Sequence, residues 1–253
     1  MRIHVVTPVT TPGLSPAADF DSLQRVGVSI TQGNIERGPA TIESSFDEVF
    51  AIPDTVRMAA EAVASGADAV VIDCMTDPGL AAAREATGTL VLGPAQSAMH
   101  VASMLALNFS VISASQAVLP VIHGLVAHYG LRERFCSARS VDIPVHELGD
   151  ADRLGLALCA EALLAVEEDG AHAIVLGCTG MHGWSQRLHN HLSAHGHPGI
   201  PVVDPVAAAI KLAEALVDLG LRPSTRTYAA PLSKPVIGYD DVVAAVRFDV
   251  EGR

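Results

Sequence analysis

Apolar and polar positions along this 253-residue chain form short apolar runs separated by longer segments with helical spacing. Val- and Ile-rich runs at 3–7, 69–74, 90–92, 109–113, 173–178 and 202–203 predict strands. Ala- and Leu-rich segments at 55–65, 78–86, 94–107, 116–129, 152–168 and 205–219 predict helices. The strands are apolar throughout rather than alternating, and helices follow them in turn. That combination predicts an α/β fold with mainly parallel sheets flanked by helices.

The pattern repeats. GADAVVIDC (66–74) returns as GAHAIVLGC (170–178), so Cys178 stands 104 positions after Cys74. GTLVLGPAQSA (88–98) parallels GIPVVDPVAAA (199–209), each a short strand followed by proline at a first helical position. The run at 3–7 likewise matches the run at 109–113. Three matches in one order predict two similar lobes, 1–98 plus 208–253 carrying Cys74 and 99–207 carrying Cys178. Ligand sites of parallel α/β sheets lie at the carboxyl ends of the strands. If the lobes are related by a pseudo-twofold axis with the active site between them, both thiols point into one cleft from opposite walls. Such a pair suits a reaction that needs a base on each face of a carbon.

A cysteine ending an apolar strand is commonly just a small buried hydrophobe. Cys136 and Cys159 receive that reading, since Cys159 sits in a helical Leu/Ala pattern and Cys136 lacks a partner motif. Cys74 and Cys178 differ, because each ends a strand and precedes a small or polar run (MTDPG and TGMHG). Near a helix N-terminus, backbone amides stabilise a thiolate. Asp73 and Asp77 oppose that at the first site, so the two thiols need not be equally acidic.

Composition narrows the function classes. A hydrophobic fraction of 49% against 17% charged residues supports a large core. A net charge of −12 with 4% aromatic residues and no basic stripe argues against nucleic acid. The apolar runs are too short to span a bilayer. The start MRIHVVTP has no signal-peptide pattern, so the four cysteines read as reduced thiols in a cytoplasm. Neither GxGxxG nor a phosphate-binding GKS/T loop occurs, which removes support for a nucleotide cofactor. Five histidines crowd 182–197, with His191 and His195 four apart as metal ligands on a helix can be. No HExxH pattern accompanies them, and the segment reads as an exposed helix. His182 beside Cys178 offers a Cys–His dyad, which points to acyl transfer instead.

The phrases ERGPATIESSFDEVFAIP (36–53), IDCMTDPGL (72–80), VLGCTGM (175–181) and PVVDPVAAAIK (201–211) together resemble the aspartate/glutamate/hydantoin racemase superfamily, in particular its hydantoin and allantoin racemase branch. The resemblance runs to about Leu221. It implies cofactor-independent inversion of a carbon next to a carbonyl, with one cysteine thiolate removing the proton and the other thiol returning one. It further implies a homo-oligomer acting on a small molecule, without metal or pyridoxal phosphate. The chain departs from the family's pattern at three places. Thr7-Pro8-Val9 stands where Asn-Pro-Asn is common, Met75 and Thr76 follow the first cysteine, and Thr179 replaces a frequent alanine.

Enolate-like charge on the substrate calls for amides and hydroxyls near its carbonyl. The loops after each strand supply Thr7, Met75, Thr76, Ser113, Thr179 and Gly180, and the resemblance adds Thr41 from a pocket-lining loop. No Lys or Arg lies in either cysteine loop, which favours a neutral or weakly acidic cyclic amide over a dicarboxylate. The expected activity is therefore racemisation of a 5-substituted hydantoin or related ureide. An amino-acid or dicarboxylate racemase or isomerase, and a non-catalytic small-molecule binder, are the alternatives.

Overall fold

The computed structural model describes residues 1–14, 17–246 and 248, and the chain divides into two compact units. The first comprises 1–42, 46–93 and 209–253, the second 43–45 and 94–208.

In the first unit four parallel strands, β1 (Arg2–Thr7), β2 (Ser29–Asn34), β3 (Ala69–Ile72) and β4 (Leu90–Leu92), lie in the order β2-β1-β3-β4. Helices α1 (Ser45–Ala64) and α2 (Leu80–Thr87) belong to this unit, as does the short α8 (Asp240–Ala245). Every side chain of β3 and β4 is buried, which is why these strands lack polar alternation. Val6, Ile35, Ala51, Val56, Ala59, Val70, Ile72 and Leu80 join strands and helices in one core.

The second unit holds β5 (Phe109–Ser113), β6 (Phe135–Ser140), β7 (Ile174–Leu176) and β8 (Val202–Val203), again parallel, in the order β6-β5-β7-β8. The two sheets thus repeat one connectivity. Here α3 (Pro94–Leu105), α4 (Leu119–His128), α5 (Ala151–Glu167) and α6 (Ser185–Ala194) surround the sheet. Leu154, Leu158, Leu176, Met181, Leu188 and Leu192 anchor its core. Helix α7 (Pro205–Asp218) contains the boundary at 208/209.

The strands expected at 69–74 and 173–178 end at Ile72 and Leu176, two residues before the cysteines, and four further elements differ from the sequence expectation, each for a physical reason. Strands β2 and β6 are absent from it because SITQGN and FCSARS are edge strands with partly exposed, mostly polar side chains. Helix α1 starts ten residues before the expected Thr55 and runs through Pro53. The proline removes the amide that would reach Val49, and that residue is exposed, so water can take up the carbonyl. Helix α2 begins at Leu80 instead of Pro78 because Asp77 and Gly79 occupy left-handed conformations, φ 49° and 71°.

Candidate active site

Cys74 leaves the carboxyl end of β3 through a tight turn. The Asp73 amide still donates to Val6 at 2.8 Å, and the Cys74 amide then turns back onto the Ile72 carbonyl at 2.8 Å. The Asp77 amide closes the loop on the Cys74 carbonyl at 3.1 Å. Cys74 is partly exposed, whereas Met75, Thr76 and Asp77 around it are buried. Its Sγ lies 3.3 Å from the Thr76 hydroxyl.

Thr7, at the end of neighbouring β1, is also buried. Its hydroxyl donates to Asp73 at 3.4 Å and accepts from Gln32 of β2 at 2.9 Å. The hydroxyl that replaces the family's asparagine is thus tied into a polar chain running from β2 to the residue preceding Cys74. The loop also packs on α1. A Cβ on Gly79 would lie 3.1 Å from Ile52, and the Glu48 carboxyl feels the charge of Asp77. Burial first and Asp77 second push Glu48 above the ordinary carboxylate range.

Thr41 lies on the rim of a separate cavity of about 660 Å³ in this unit, with Arg37, Phe46, Phe50 and Tyr239. The Arg37 guanidinium is held by the buried Asp54 at 2.8 Å and by Asp241 of α8. Arg37 is therefore committed to the fold.

Cys178 follows β7 in the corresponding place. Gly177 permits it: its amide donates to the Ile112 carbonyl at 2.7 Å, and a Cβ there would lie 2.7 Å from that oxygen. Cys178 has extended backbone (φ −146°, ψ 136°) and opens a single 3₁₀ turn, Thr179–Met181. The Met181 amide returns to the Cys178 carbonyl and that of His182 to the Thr179 carbonyl, both at 3.0 Å. A Cβ on Gly180 would stand 3.6 Å from the Cys178 sulfur and 3.0 Å from Leu148, so the turn is drawn tightly around the thiol. Cys178, Thr179 and Gly180 are partly exposed, and Ser113 at the end of β5 is buried.

Beyond the turn, His182 Nδ1 is 2.7 Å from Asp204 Oδ2. Asp204 also accepts from the amides of Gly183 (3.0 Å), Val206 (3.1 Å) and Ala207 (3.2 Å), and so caps α7. Burial pushes Asp204 upward, but the His182 hydrogen bond and charge, with the amides, hold it below the ordinary value. Sequence reasoning gives no hint of the Gln32 link or the His182–Asp204 pair, because both join residues brought together only by strand order.

The remaining histidines form no such centre. His191 and His195 stack at 4.1 Å, His195 Nδ1 is 2.9 Å from the His191 carbonyl, and His197 pairs with Glu167 at 3.0 Å. Among the described residues no three His, Cys, Asp or Glu side chains are grouped to hold a metal ion. No helix among the described residues is long and apolar enough to cross a membrane. All four cysteines are free thiols.

Residues 9–213 match the sequence model of the Asp/Glu/Hydantoin racemase family. The chain is 37% identical over 242 residues to a hydantoin racemase of Pseudomonas sp. (strain NS671), covering 94% of this chain and 95% of that protein. Identity to a hydantoin racemase of Rhizobium meliloti is also 37%, over 243 residues, with 94% and 98% covered. Its fold is similar to that of an allantoin racemase from Klebsiella pneumoniae, with a TM-score of 0.89, 33% identity, and 96% and 98% of the two chains covered. With two parallel four-stranded sheets of like order, a family match over most of its length and these relatives, the chain belongs to the Asp/Glu/hydantoin racemase family and is an isomerase of the racemase class.

Proposed function

We propose that this racemase inverts the ring carbon of a 5-substituted hydantoin or a related cyclic ureide such as allantoin, with Cys74 and Cys178 as its acid and base. The observation that carries the reading is 37% identity to hydantoin racemases across 94% of the chain, with a thiol after the third strand of each sheet. One thiolate takes the proton from the carbon beside the carbonyl, and the electron pair moves onto the carbonyl oxygen. The other thiol then delivers its proton to the opposite face of that carbon. General acid–base catalysis of this kind contributes about 10²–10⁴-fold.

Enolate charge on the ring falls to backbone amides and hydroxyls of the strand-end loops, with Thr7, Thr41, Met75, Thr76, Ser113, Thr179 and Gly180 as the substrate-binding candidates. Neither cysteine loop carries a Lys or Arg, and Arg37 is committed to Asp54 and Asp241, which favours a neutral or weakly acidic ring over a dicarboxylate. The same reading carries a cofactor-independent homo-oligomer working in a reducing cytoplasm.

The test is incubation of each enantiomer of several 5-substituted hydantoins, allantoin and free amino acids in deuterated buffer, following optical rotation and deuterium at the inverting carbon. Rotation lost together with deuterium gained, and both abolished in Cys74→Ser and in Cys178→Ser, is the expected result. Full activity in either variant would overturn the two-thiol mechanism. Exchange confined to free amino acids would overturn the substrate class.

A further inference from the structure

Helix α4 ends in a turn that folds the chain back against its own last residues. Gly130 takes the left-handed conformation, φ 72°, and its amide donates to the Ala127 carbonyl at 3.2 Å. The Leu131 amide reaches further back, to the Val126 carbonyl at 2.9 Å, and the Leu131 side chain is buried. A single 3₁₀ turn, Arg132–Arg134, then leads into β6 at Phe135. Because β6 runs parallel to β5, and β5 to β7, this corner lies at the amino ends of the strands, the opposite end of the sheet from Cys178.

Between α4 and the start of β6 the corner leaves a cavity of about 410 Å³, lined by His123, Gly124, Val126, Ala127, Arg132 and Phe135. That volume suits a small molecule. Its base is apolar, with Val126 buried and Phe135 half-buried. His123 stands edge-on to the Phe135 ring, at 90° with centroids 5.1 Å apart. Neither His123 nor Arg132 makes a hydrogen bond or ion pair with any described residue. That is unusual in a chain with 28 acidic residues against 16 Lys and Arg, where Arg25, Arg37, Arg57, Arg139 and Arg153 are all paired with carboxylates. No Asp or Glu lines the cavity, and Glu133 beside Arg132 is exposed. Gly124 lies inside the helix, where glycine is the least favourable residue after proline. A Cβ there would meet nothing within 4 Å, so packing does not demand the glycine, whereas its missing side chain leaves the cavity wide.

We propose that this corner is a second ligand site, for a small organic carboxylate with an apolar body. The Arg132 guanidinium donates two parallel N–H bonds to the carboxylate, whose two oxygens match its fork. An imidazole keeps at least one N–H in either protonation state, so His123 adds a donor. The apolar body lies on Phe135, Val126 and Ala127. A bare inorganic anion would leave that surface uncovered, and a neutral amide would leave the guanidinium without a countercharge. The site adds to the racemase reading and does not depend on it.

The experiment is an amide nitrogen–hydrogen correlation spectrum of the full chain, titrated with sodium benzoate and separately with benzamide and inorganic phosphate. Benzoate is expected to shift the amides of 123–127 and 131–135 saturably, in the millimolar range usual for so small a ligand. Benzamide and phosphate are each expected to bind at least about tenfold more weakly. Arg132→Gln is expected to weaken benzoate about tenfold, and Arg132→Lys, which keeps the charge but loses the fork, by an intermediate factor. His123→Ala is expected to weaken it by less than Arg132→Gln does. Arg226→Gln removes another exposed arginine without a partner among the described residues, and is expected to leave the titration unmoved. Because both arginines are exposed, their variants are expected to keep the wild-type peak dispersion. Shifts that stay linear or scatter over the surface, equal weakening in Arg132→Gln and Arg226→Gln, or benzamide or phosphate matching benzoate would each overturn the proposal.

Discussion

The amide of Gly177 donates to the carbonyl of Ile112 at 2.7 Å, and the same oxygen would lie 2.7 Å from a Cβ at Gly177. A side chain there would also meet the Ile112 carbonyl carbon at 2.8 Å and the Ser113 Cα at 2.9 Å, all backbone that cannot rotate away. Gly177→Ala must therefore separate β5 from β7 just before Cys178. Overpacking of this kind costs about 1–3 kcal/mol. A displacement of about 1 Å at a reacting group costs on the order of 10²-fold in rate. Urea denaturation and racemisation of the variant are expected to show both losses. Gly124→Ala in α4, where a Cβ has open space, serves as the control and should hold or raise the midpoint. A Gly177→Ala protein with wild-type stability and rate would show that the two strands are free to separate.

Asp54 binds the loop at 36–37 to helix α1, and Arg37 in turn holds Asp241 of α8. Only 2% exposed, Asp54 accepts the amides of Glu36 and Arg37 and the guanidinium groups of Arg37 and Arg57. Burial pushes its carboxyl up, but the two arginines and the amides outweigh this and hold it well below the ordinary carboxylate range. A folded-state value below the unfolded one means that the stabilisation is present above the unfolded pKa, about 3.9, and is lost as pH falls towards the folded value. Removing one partner of a fully buried pair costs about 3–5 kcal/mol. Arg37 is 56% exposed, so solvent screening brings the expectation for Asp54→Asn nearer 2 kcal/mol. Urea midpoints from pH 3 to 7 should show the variant weaker at neutrality and converging on the wild type in acid. Parallel curves would remove Asp54 from the acid response.

Gly93 and Asp77 form a second glycine-dependent contact, this time with a side chain. A Cβ on Gly93 would fall 2.3 Å from the Asp77 carboxyl carbon and 2.4 Å from both its oxygens. Asp77 cannot simply swing aside, since it is buried and held at φ 49°. Gly93→Ala should destabilise, and adding Asp77→Ala should recover part of the loss. A coupling of about 0.5–3 kcal/mol is usual for residues in contact. The four midpoints of this cycle give it directly, and strict additivity would mean that the loop yields to the new methyl group.

Much of this site can be read along the chain because its signals are local. An apolar run ending in cysteine marks a buried strand with a thiol at its tip, and its return at Cys178 marks the second sheet. The parallel α/β class follows from the same runs. Strands β2 and β6 escape because edge strands with a polar side carry little apolar signal. The polar partners behind the two cysteine loops escape for another reason. Asp204 reaches His182 because β8 lies beside β7, and Gln32 reaches Thr7 because β2 lies beside β1. No spacing rule encodes such neighbours.

Glu48 is a test of competing effects at the N-terminus of α1. The helix dipole favours a carboxylate in a first turn, whereas burial and the neighbouring Asp77 disfavour it. The net direction is upward, so burial and Asp77 prevail. A folded-state pKa above the unfolded value has the opposite sign from Asp54. The carboxylate costs nothing below the unfolded pKa of about 4.3, and its cost grows as pH rises through the folded value. Glu48→Gln should therefore raise the urea midpoint at pH 7 and leave it unchanged at or below pH 4. Asp77→Asn should shrink that gain without abolishing it, because burial is the larger cause. A lower midpoint for Glu48→Gln at pH 7 would mean that the helix terminus, not burial and Asp77, governs this carboxyl.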